Sequence, residues 1–168
     1  AKNVSLGHVN LILDRDGVVR RFPLKIDSLS AMSYEVAKKS GLEIPNEERL
    51  SNINRIVFSK PTGSIRRVPF WRVLEDGAGG LLKNKIVLIG ATAPDLHDEK
   101  PTPFSSGTQM PGVEIQANIA NMLLFGYRLV PLSRTFMVFW IFLAALLAEA
   151  AFLLLKGEIL PLAGNLVL

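Results

Sequence analysis

Residues Phe136–Leu155 read FMVFWIFLAALLAEAAFLLL and contain one charged residue, Glu149. Twenty helical residues rise about 30 Å, which matches the hydrocarbon core of a bilayer. Twelve of them are Leu, Phe, Ile or Val, and at roughly −0.3 to −0.6 kcal/mol each they outweigh a penalty of about 3 kcal/mol for the acid. The stretch therefore predicts a transmembrane helix over residues 135–156.

A second apolar stretch, residues 159–168, follows soon after. It is too short to span a bilayer, so we interpret it as the start of a second transmembrane helix. The chain begins without Met, and its last residue falls inside this stretch. We therefore expect the chain to be part of a longer membrane protein.

Glu149 is the one acid within the predicted transmembrane helix. An ionisable residue at that depth is a functional candidate by default, and here it would take part in signal coupling. It also lies about two helical turns before Lys156. A hydrogen bond to a neighbouring helix, and so a role in helix packing, is the interpretation that we favour.

The part of the chain ahead of this helix carries the whole net charge of +4. Residues 1–133 contain 17 Lys and Arg against 13 Asp and Glu, and the basic residues are dispersed among the acids. That distribution is typical of a solvated surface, so we expect no nucleic-acid partner. The absence of cysteine from the sequence excludes a disulfide framework and thiolate metal sites. Residues 1–130 have a length typical of one domain.

The clearest local unit near the start of the chain is a β-hairpin. Two extended runs, Val9–Leu13 and Val18–Phe22, flank the turn sequence Asp14–Gly17. Asp-Gly between such runs is a strong hairpin signal, because Gly accepts the positive φ that the turn needs.

The same residues allow a second interpretation. They resemble the Asp-x-Asp-Gly motif of haloacid-dehalogenase-like phosphatases, in which Asp14 would be the nucleophile and Asp16 the acid–base group. Val18 stands where that family usually has Thr, and the residues after it continue as a return strand. The hairpin is therefore favoured over the phosphatase.

Periodicity and turn residues predict three further elements between the hairpin and the middle of the chain. They are a helix over Leu29–Ser40 capped by Ser28 or Ser30 and ended by Gly41, a strand over Ile53–Phe58, and a short helix over Pro69–Leu74 with Phe70 and Trp71 inward.

A strand, a long loop and a helix follow. Ile86–Gly90 is apolar at every position, which predicts a strand buried on both faces. The helix over Pro111–Phe125 is ended by Gly126. Its expected apolar stripe consists of Val113, Ala117, Ala120 and Leu124, opposite a polar side of Glu114, Asn118 and Asn121. The fold class that results is α/β, a sheet with flanking helices in a partial domain, followed by one transmembrane helix and the start of a second.

Polar residues after the apolar strand and in the following helix form the candidate ligand site. Ligands bind at the carboxyl ends of strands and near helix N-termini in open α/β sheets. The candidate ligand-binding residues are Thr92, Asp95, Asp98, Thr102, Glu114 and Asn118. The alternative is a polar surface loop held by its prolines. The spacing of Asp95, His97 and Asp98 matches no metal-ligand pattern, so no metal, no cofactor and no catalytic residue is expected.

Several separate motifs resemble one known family, the type-2 CHASE domain, an extracellular sensor associated with cyclases and histidine kinases. The stretches that carry the resemblance are Gly7–Asn10, Asp16–Leu24, Lys85–Ala93, Asp98, Thr102–Phe104 and Met110–Asn118, followed directly by the hydrophobic segment. The resemblance covers residues 5–128 and corresponds to the C-terminal portion of that domain. It implies a bacterial receptor with an extracytoplasmic sensor, membrane helices and a cytoplasmic cyclase or kinase, and it carries no catalytic residues.

The main hypothesis is therefore the sensor region of a transmembrane signalling receptor in the inner membrane, with residues 1–130 extracytoplasmic. Its expected partners are the lipid bilayer, an unknown small-molecule or environmental signal, and a second copy in a homodimer. The signal would pass from the loop at Thr92–Met110 through the following helix and across Pro131 into the membrane. A second hypothesis is a dimerisation module that binds no ligand. We expect the chain itself not to be an enzyme.

Overall fold

The computed structural model describes residues 4–59, 61–75, 80–105 and 107–164, and the side chains of the last helix only to Leu155. Two compact units divide the chain, Ala1–Leu129 and Val130–Leu168. The first unit mixes small sheets with helices, which confirms the predicted α/β class.

The regular elements of the described residues are short strands and four α-helices. The strands are β1 (Ile12–Leu13), β2 (Val19–Pro23), β3 (Lys25–Ile26), β4 (Leu29–Ser30), β5 (Ile53–Arg55), β6 (Glu99–Lys100) and β7 (Met110–Pro111). The helices are α1 (Met32–Lys39), α2 (Phe70–Glu75), α3 (Gly112–Leu124) and α4 (Arg134–Gly164). Single 3-10 turns lie at Glu47–Arg49 and Pro94–Leu96.

The predicted hairpin is confirmed as the first two strands of a sheet. Strand β2 is central and pairs antiparallel with β1 and with β5. Gly17 has φ of +75°, and its N–H donates to the Asp14 carbonyl over 2.9 Å, which closes the turn. Val19 and Phe22 on β2 are fully buried. The predicted strand at Ile53–Phe58 ends early, at the last residue of β5.

Helices α1 and α3 pack against each other and share one apolar core with the sheet. Its largest buried side chains include Phe22, Met110, Ile115, Ile119 and Leu123. Burying each such side chain contributes about 1.5–3 kcal/mol. The core of the first unit is thus built between β2 and two helices far apart in sequence.

Helix α1 begins later than predicted. Residues 29–30 form β4 in place of the first helical turn, so neither Ser28 nor Ser30 is the cap. Ala31 occupies the N-cap position without a side-chain hydrogen bond. The predicted end is confirmed, because Gly41 follows the helix with φ of +75°.

The prediction of a doubly buried strand at Ile86–Gly90 is wrong for the described residues. No ladder forms there, and Ile89 is 83% exposed. Strand burial depends on neighbouring strands, and no described strand pairs with this segment. Gly90 instead lies against α3, where an added Cβ would stand 2.5 Å from Val113 Cβ.

Helix α2 forms close to the predicted position, but its orientation differs from the prediction. Phe70 is 63% exposed and Trp71 is 59% exposed, so neither side chain faces the core. A helix of six residues makes fewer than two turns. Neither ring belongs to the described apolar cluster or to the residues packed against it.

Helix α4 contains the predicted transmembrane segment. Its first 22 residues, Arg134–Leu155, are long and apolar enough to cross a membrane, and none of that window is buried in protein. The helix continues without interruption through residues 156–164. Residues 165–168 lie outside the described part, so the start of a second helix over 159–168 stays a prediction.

Candidate functional site

Helix α3 buries polar side chains on the side that the sequence predicts to be exposed. Nine of its thirteen residues are buried, including Glu114, Gln116 and Asn118. Three of the four residues of the predicted apolar stripe, Val113, Ala117 and Leu124, are only partly buried. The predicted stripe is wrong because both flanks of the helix have neighbours. The core lies on one side, and Val57, Ser59, Gly63 and Arg67 lie on the other.

Every fourth residue along one flank of α3 accepts a backbone hydrogen bond. Glu114 Oε1 accepts from the Gly63 N–H over 2.8 Å, Asn118 Oδ1 from the Ser59 N–H over 3.3 Å, and Met122 Sδ from the Val57 N–H over 3.4 Å. Residues four apart lie on one helix face. We call Glu114, Asn118 and Met122 the acceptor face. The acceptor face provides hydrogen-bond acceptors for backbone N–H groups after β5. In a sheet, a neighbouring strand would supply these acceptors.

Glu114 is the charged member of the acceptor face and is 4% exposed. Its Oε2 lies 2.5 Å from Nη2 of Arg67, an ion pair whose arginine is 45% exposed. A buried carboxylate needs such partners, because an unpaired charge away from water is very costly. The acid also lies in the first turn of α3, where the helix dipole favours negative charge.

Asn118 completes its hydrogen bonding within the protein. Its Nδ2 donates to the Glu114 carbonyl over 2.9 Å, and the Ser59 hydroxyl donates to its Oδ1 over 3.3 Å. Both ends of the amide are therefore engaged. We conclude that Asn118 holds the chain at Ser59 in place.

Gln116 makes the corresponding link to the start of the chain. Its Nε2 donates to the Val9 carbonyl over 3.0 Å. The Ser33 hydroxyl of α1 donates to Gln116 Oε1 and lies 3.1 Å from the Gln116 carbonyl. Helix α3 thus connects the N-terminal segment, α1 and the chain after β5 through buried polar groups.

The loop between the apolar segment and α3 is anchored at its base. Strands β6 and β7 pair antiparallel, and the Gly112 N–H donates to the Asp98 carbonyl over 2.7 Å. The Asp98 carboxylate covers Gly112 so closely that an added Cβ would lie 2.6 Å from Oδ2. Thr102 is buried, and its N–H donates to Ser105 Oγ over 2.9 Å.

The six predicted ligand-binding residues divide into two groups. Thr92, Asp95 and Asp98 are exposed, whereas Thr102, Glu114 and Asn118 are buried. The latter make hydrogen bonds within the protein, so the described conformation does not bring all six polar groups to one open site. Their role in binding a ligand stays a prediction.

Sequence reasoning missed the partners of the acceptor face. Gly63, Arg67 and Ser59 lie about fifty residues before α3 and belong to no predicted helix or strand. The spacing of Glu114 and Asn118 did mark one helical face. No local pattern names the segment that this face binds. Within the described ranges, no group of three or more His, Asp and Glu side chains could hold a metal ion.

Asp14 and Asp16 lie at the hairpin turn and form ion pairs with arginines. Arg20 contacts Asp14 at 3.0 Å and Asp16 at 2.8 Å, and Arg21 contacts Asp14 at 2.6 Å. Arg20 lowers the pKa of Asp16 to about 2, and Arg20 and Arg21 lower the pKa of Asp14. Both acids thus lie in the turn between the antiparallel strands β1 and β2, as the hairpin interpretation predicts, and their role in a phosphatase stays a prediction.

The predicted coupling residues both belong to the second unit. Pro131 lies in the stretch before α4, and Glu149 lies on α4 within the span. Their roles stay predictions.

A family model described as the CHASE2 domain matches residues 1–156 of the chain. That range includes the hairpin, α3 and the apolar part of α4. No curated protein and no solved structure matches the chain at a significant level.

Proposed function

The chain belongs to the CHASE2 domain family of extracellular sensor domains of signalling receptors, and on that premise we propose that it is the sensor region of a bacterial transmembrane receptor. Residues 1–130 lie outside the cytoplasm, and α4 crosses the inner membrane. A signal that depends on a ligand or on assembly passes to a cytoplasmic cyclase or kinase elsewhere in the receptor. The functional unit is a homodimer.

Helix α3 is the observation that supports this proposal best. Its buried residues connect three separate segments of the first unit, and only residues 125–133 separate its end from α4 in sequence. A change in the packing of α3 therefore has a short covalent path to the membrane helix.

A signal acts through this path by binding two arrangements of α3 with unequal affinity. The loop at Thr92–Met110 is the place where a ligand would act, because it is rooted on the first turn of α3 through β7 and Asp98. Pro131 then limits the backbone freedom of the connection to α4.

Membrane topology is the first test. The sequence has no cysteine, so one introduced cysteine reports its own position. In intact spheroplasts, Arg15→Cys in the exposed hairpin turn should react with a membrane-impermeant maleimide. The matched control, Glu158→Cys, should react only after permeabilisation. The opposite labelling pattern would place the first unit in the cytoplasm and refute the proposal.

Coupling is tested in the natural receptor by inserting six Gly and Ser residues between Gly126 and Ser133. We expect cyclase or kinase output to stop responding to the signal, while the thermal stability of the first unit is unchanged. The same insertion after Lys83, in an exposed turn, is the control. A normal response from the linker variant would show that the signal does not travel along this route.

A ligand-free dimerisation module is the second candidate. It is supported by the internal hydrogen bonds of Thr102, Glu114 and Asn118, which leave half of the predicted ligand residues occupied. Light scattering on detergent-solubilised chain measures assembly, and a thermal-shift screen of small molecules measures binding. A constant dimer with no stabilising compound favours this candidate. A compound whose effect is lost in Asp95→Asn favours the ligand sensor.

A further inference from the structure

A cleft of about 330 Å³ lies at the carboxyl end of α3, away from the loop that roots on its first turn. Such a volume is at the lower end of the range for small-molecule sites. All its lining residues belong to the first unit. None of its lining residues is among the six predicted ligand-binding residues.

Part of the cleft wall is apolar. It includes Leu123 from the last turn of α3 together with Ile44 and Leu50 from the chain after α1. Leu123 is 1% exposed, and the other two residues pack against the same core. Ile44 and Leu50, which are partly exposed, offer apolar surface to a short hydrocarbon chain.

Two arginines, Arg49 and Arg128, also line the cleft. Among the described residues, neither side chain forms an ion pair or a hydrogen bond. Glu43 lines the cleft as well, but no arginine nitrogen lies within 4 Å of its carboxylate there. The charges of Arg49, Arg128 and Glu43 therefore sum to +1. Both arginines are available to bind one anionic group of a ligand.

The end of α3 does not compete strongly for these cations. The Tyr127 N–H donates to the Met122 carbonyl over 3.0 Å, and the Gly126 N–H donates to the Leu123 carbonyl over 3.3 Å. Gly126 adopts φ of +67°, as expected for a closed helix end. The Met122 and Leu123 carbonyls at this end of the helix thus already accept hydrogen bonds.

From these features we propose that the cleft binds an amphiphilic anion. Its carboxylate or phosphate head lies between Arg49 and Arg128, and its apolar chain lies on Ile44 and Leu50. Such a ligand comes either from a free acid or from the headgroup region of an anionic lipid. Because Tyr127 and Arg128 lead toward α4 in sequence, the ligand joins the end of α3 to the start of that connection.

The test uses the full chain in nanodiscs of phosphatidylcholine, with hexanoate as the probe. Hexanoate should raise the unfolding temperature in a saturable manner, as expected for binding to the folded state. Acetate, which lacks the chain, and hexanol, which lacks the charge, should bind at least tenfold more weakly. Equal effects of hexanol and hexanoate would refute the proposal.

Variants locate the binding. Arg49→Gln with Arg128→Gln should raise the dissociation constant of hexanoate at least tenfold, whereas Arg15→Gln in the hairpin turn should leave it unchanged. Arg49→Lys with Arg128→Lys keeps the charge and should retain most of the affinity, which separates lost binding from lost folding. Unchanged affinity in the Gln double variant, or no binding of hexanoate to the natural sequence in any nanodisc, would overturn the proposal.

The two sources of the ligand are distinguished by replacing part of the phosphatidylcholine with phosphatidylglycerol. If the lipid headgroup occupies the cleft, the apparent dissociation constant of hexanoate rises with the phosphatidylglycerol fraction, and only in the natural sequence. If a free acid is the ligand, that constant is the same in both nanodiscs. Either result leaves the topology and coupling tests of the sensor proposal unaffected.

Discussion

The burial of helices α3 and α4 is the reverse of what their compositions suggest, since the more polar helix is the one buried in protein. Helix α3 carries Glu114, Gln116 and Asn118, yet nine of its thirteen residues are buried. Apart from Arg134, the span Arg134–Leu155 of α4 contains one charged residue, Glu149, yet none of the span is buried in protein. Polar groups enter a core when each finds a partner, whereas a long apolar helix without protein neighbours has the length and composition to cross a membrane.

The largest effect should come from an apolar residue of α3. Ile119→Ala removes a side chain that is 1% exposed, and it should lower the free energy of unfolding of the first unit by about 2–5 kcal/mol. Ile141→Ala on α4 should change the same quantity by less than about 0.5 kcal/mol. Denaturant unfolding of the full chain in nanodiscs measures both. Equal losses would mean that α4 also packs within the protein.

A charge in the middle of α4 should act on insertion. Ala144→Arg adds a penalty of about 3 kcal/mol to the one already due to Glu149, so the fraction of chain that resists carbonate extraction should fall. Ala144→Leu is the control and should leave that fraction unchanged or higher. Full resistance of the arginine variant would argue against a lipid environment for this helix.

The acceptor face should contribute a smaller, local effect. Glu114→Gln keeps the shape of the side chain but removes the charge that holds Arg67 and the Gly63 N–H, at a cost of about 1–3 kcal/mol. Arg67→Gln should cost at least as much, because it leaves the buried Glu114 carboxylate without its cation. Hydrogen exchange should accelerate at the Gly63 amide in both variants. Unchanged exchange there would show that Glu114 does not hold this segment.

The smallest effect on stability should come from the ion pairs of the hairpin turn, which are exposed to solvent, unlike the buried carboxylate of the Glu114–Arg67 pair. Because Arg20 lowers the pKa of Asp16 from 3.8 to about 2 in the folded state, the contribution of this pair is complete above pH 4. It is lost as the pH falls from about 4 to 2. Asp16→Asn should flatten the dependence of the unfolding temperature on pH in this interval. An unchanged slope in Asp16→Asn would contradict the pairing.

Local signals predicted the parts of the fold that need no distant partner. The Asp-Gly turn, the ends of α1 and α3 at Gly41 and Gly126, and the apolar run of α4 each formed where expected. Each depends on the conformational range of one residue or on composition over one segment. Burial was predicted less well, since Ile89 and Trp71 are exposed although both were expected inside.

The candidate sites show the same division. The residue types of Glu114 and Asn118 marked one face of a helix, but Gly63, Arg67 and Ser59 became their partners only through the fold. The cleft unites Arg49 with Arg128 across nearly eighty residues, and no motif in the sequence relates them. Contacts at such separations are selected by packing, which local patterns do not encode.

By itself the amino-acid sequence determined that a domain with an α/β pattern precedes a helix long and apolar enough for a bilayer, because turns, helix ends and hydrophobic length are properties of short segments. Only the tertiary structure decided which face of α3 is buried, which segment its acceptor face binds, and where a cleft remains at its end. Those outcomes depend on which groups become neighbours, and a polar group is buried or exposed according to the partner that it finds.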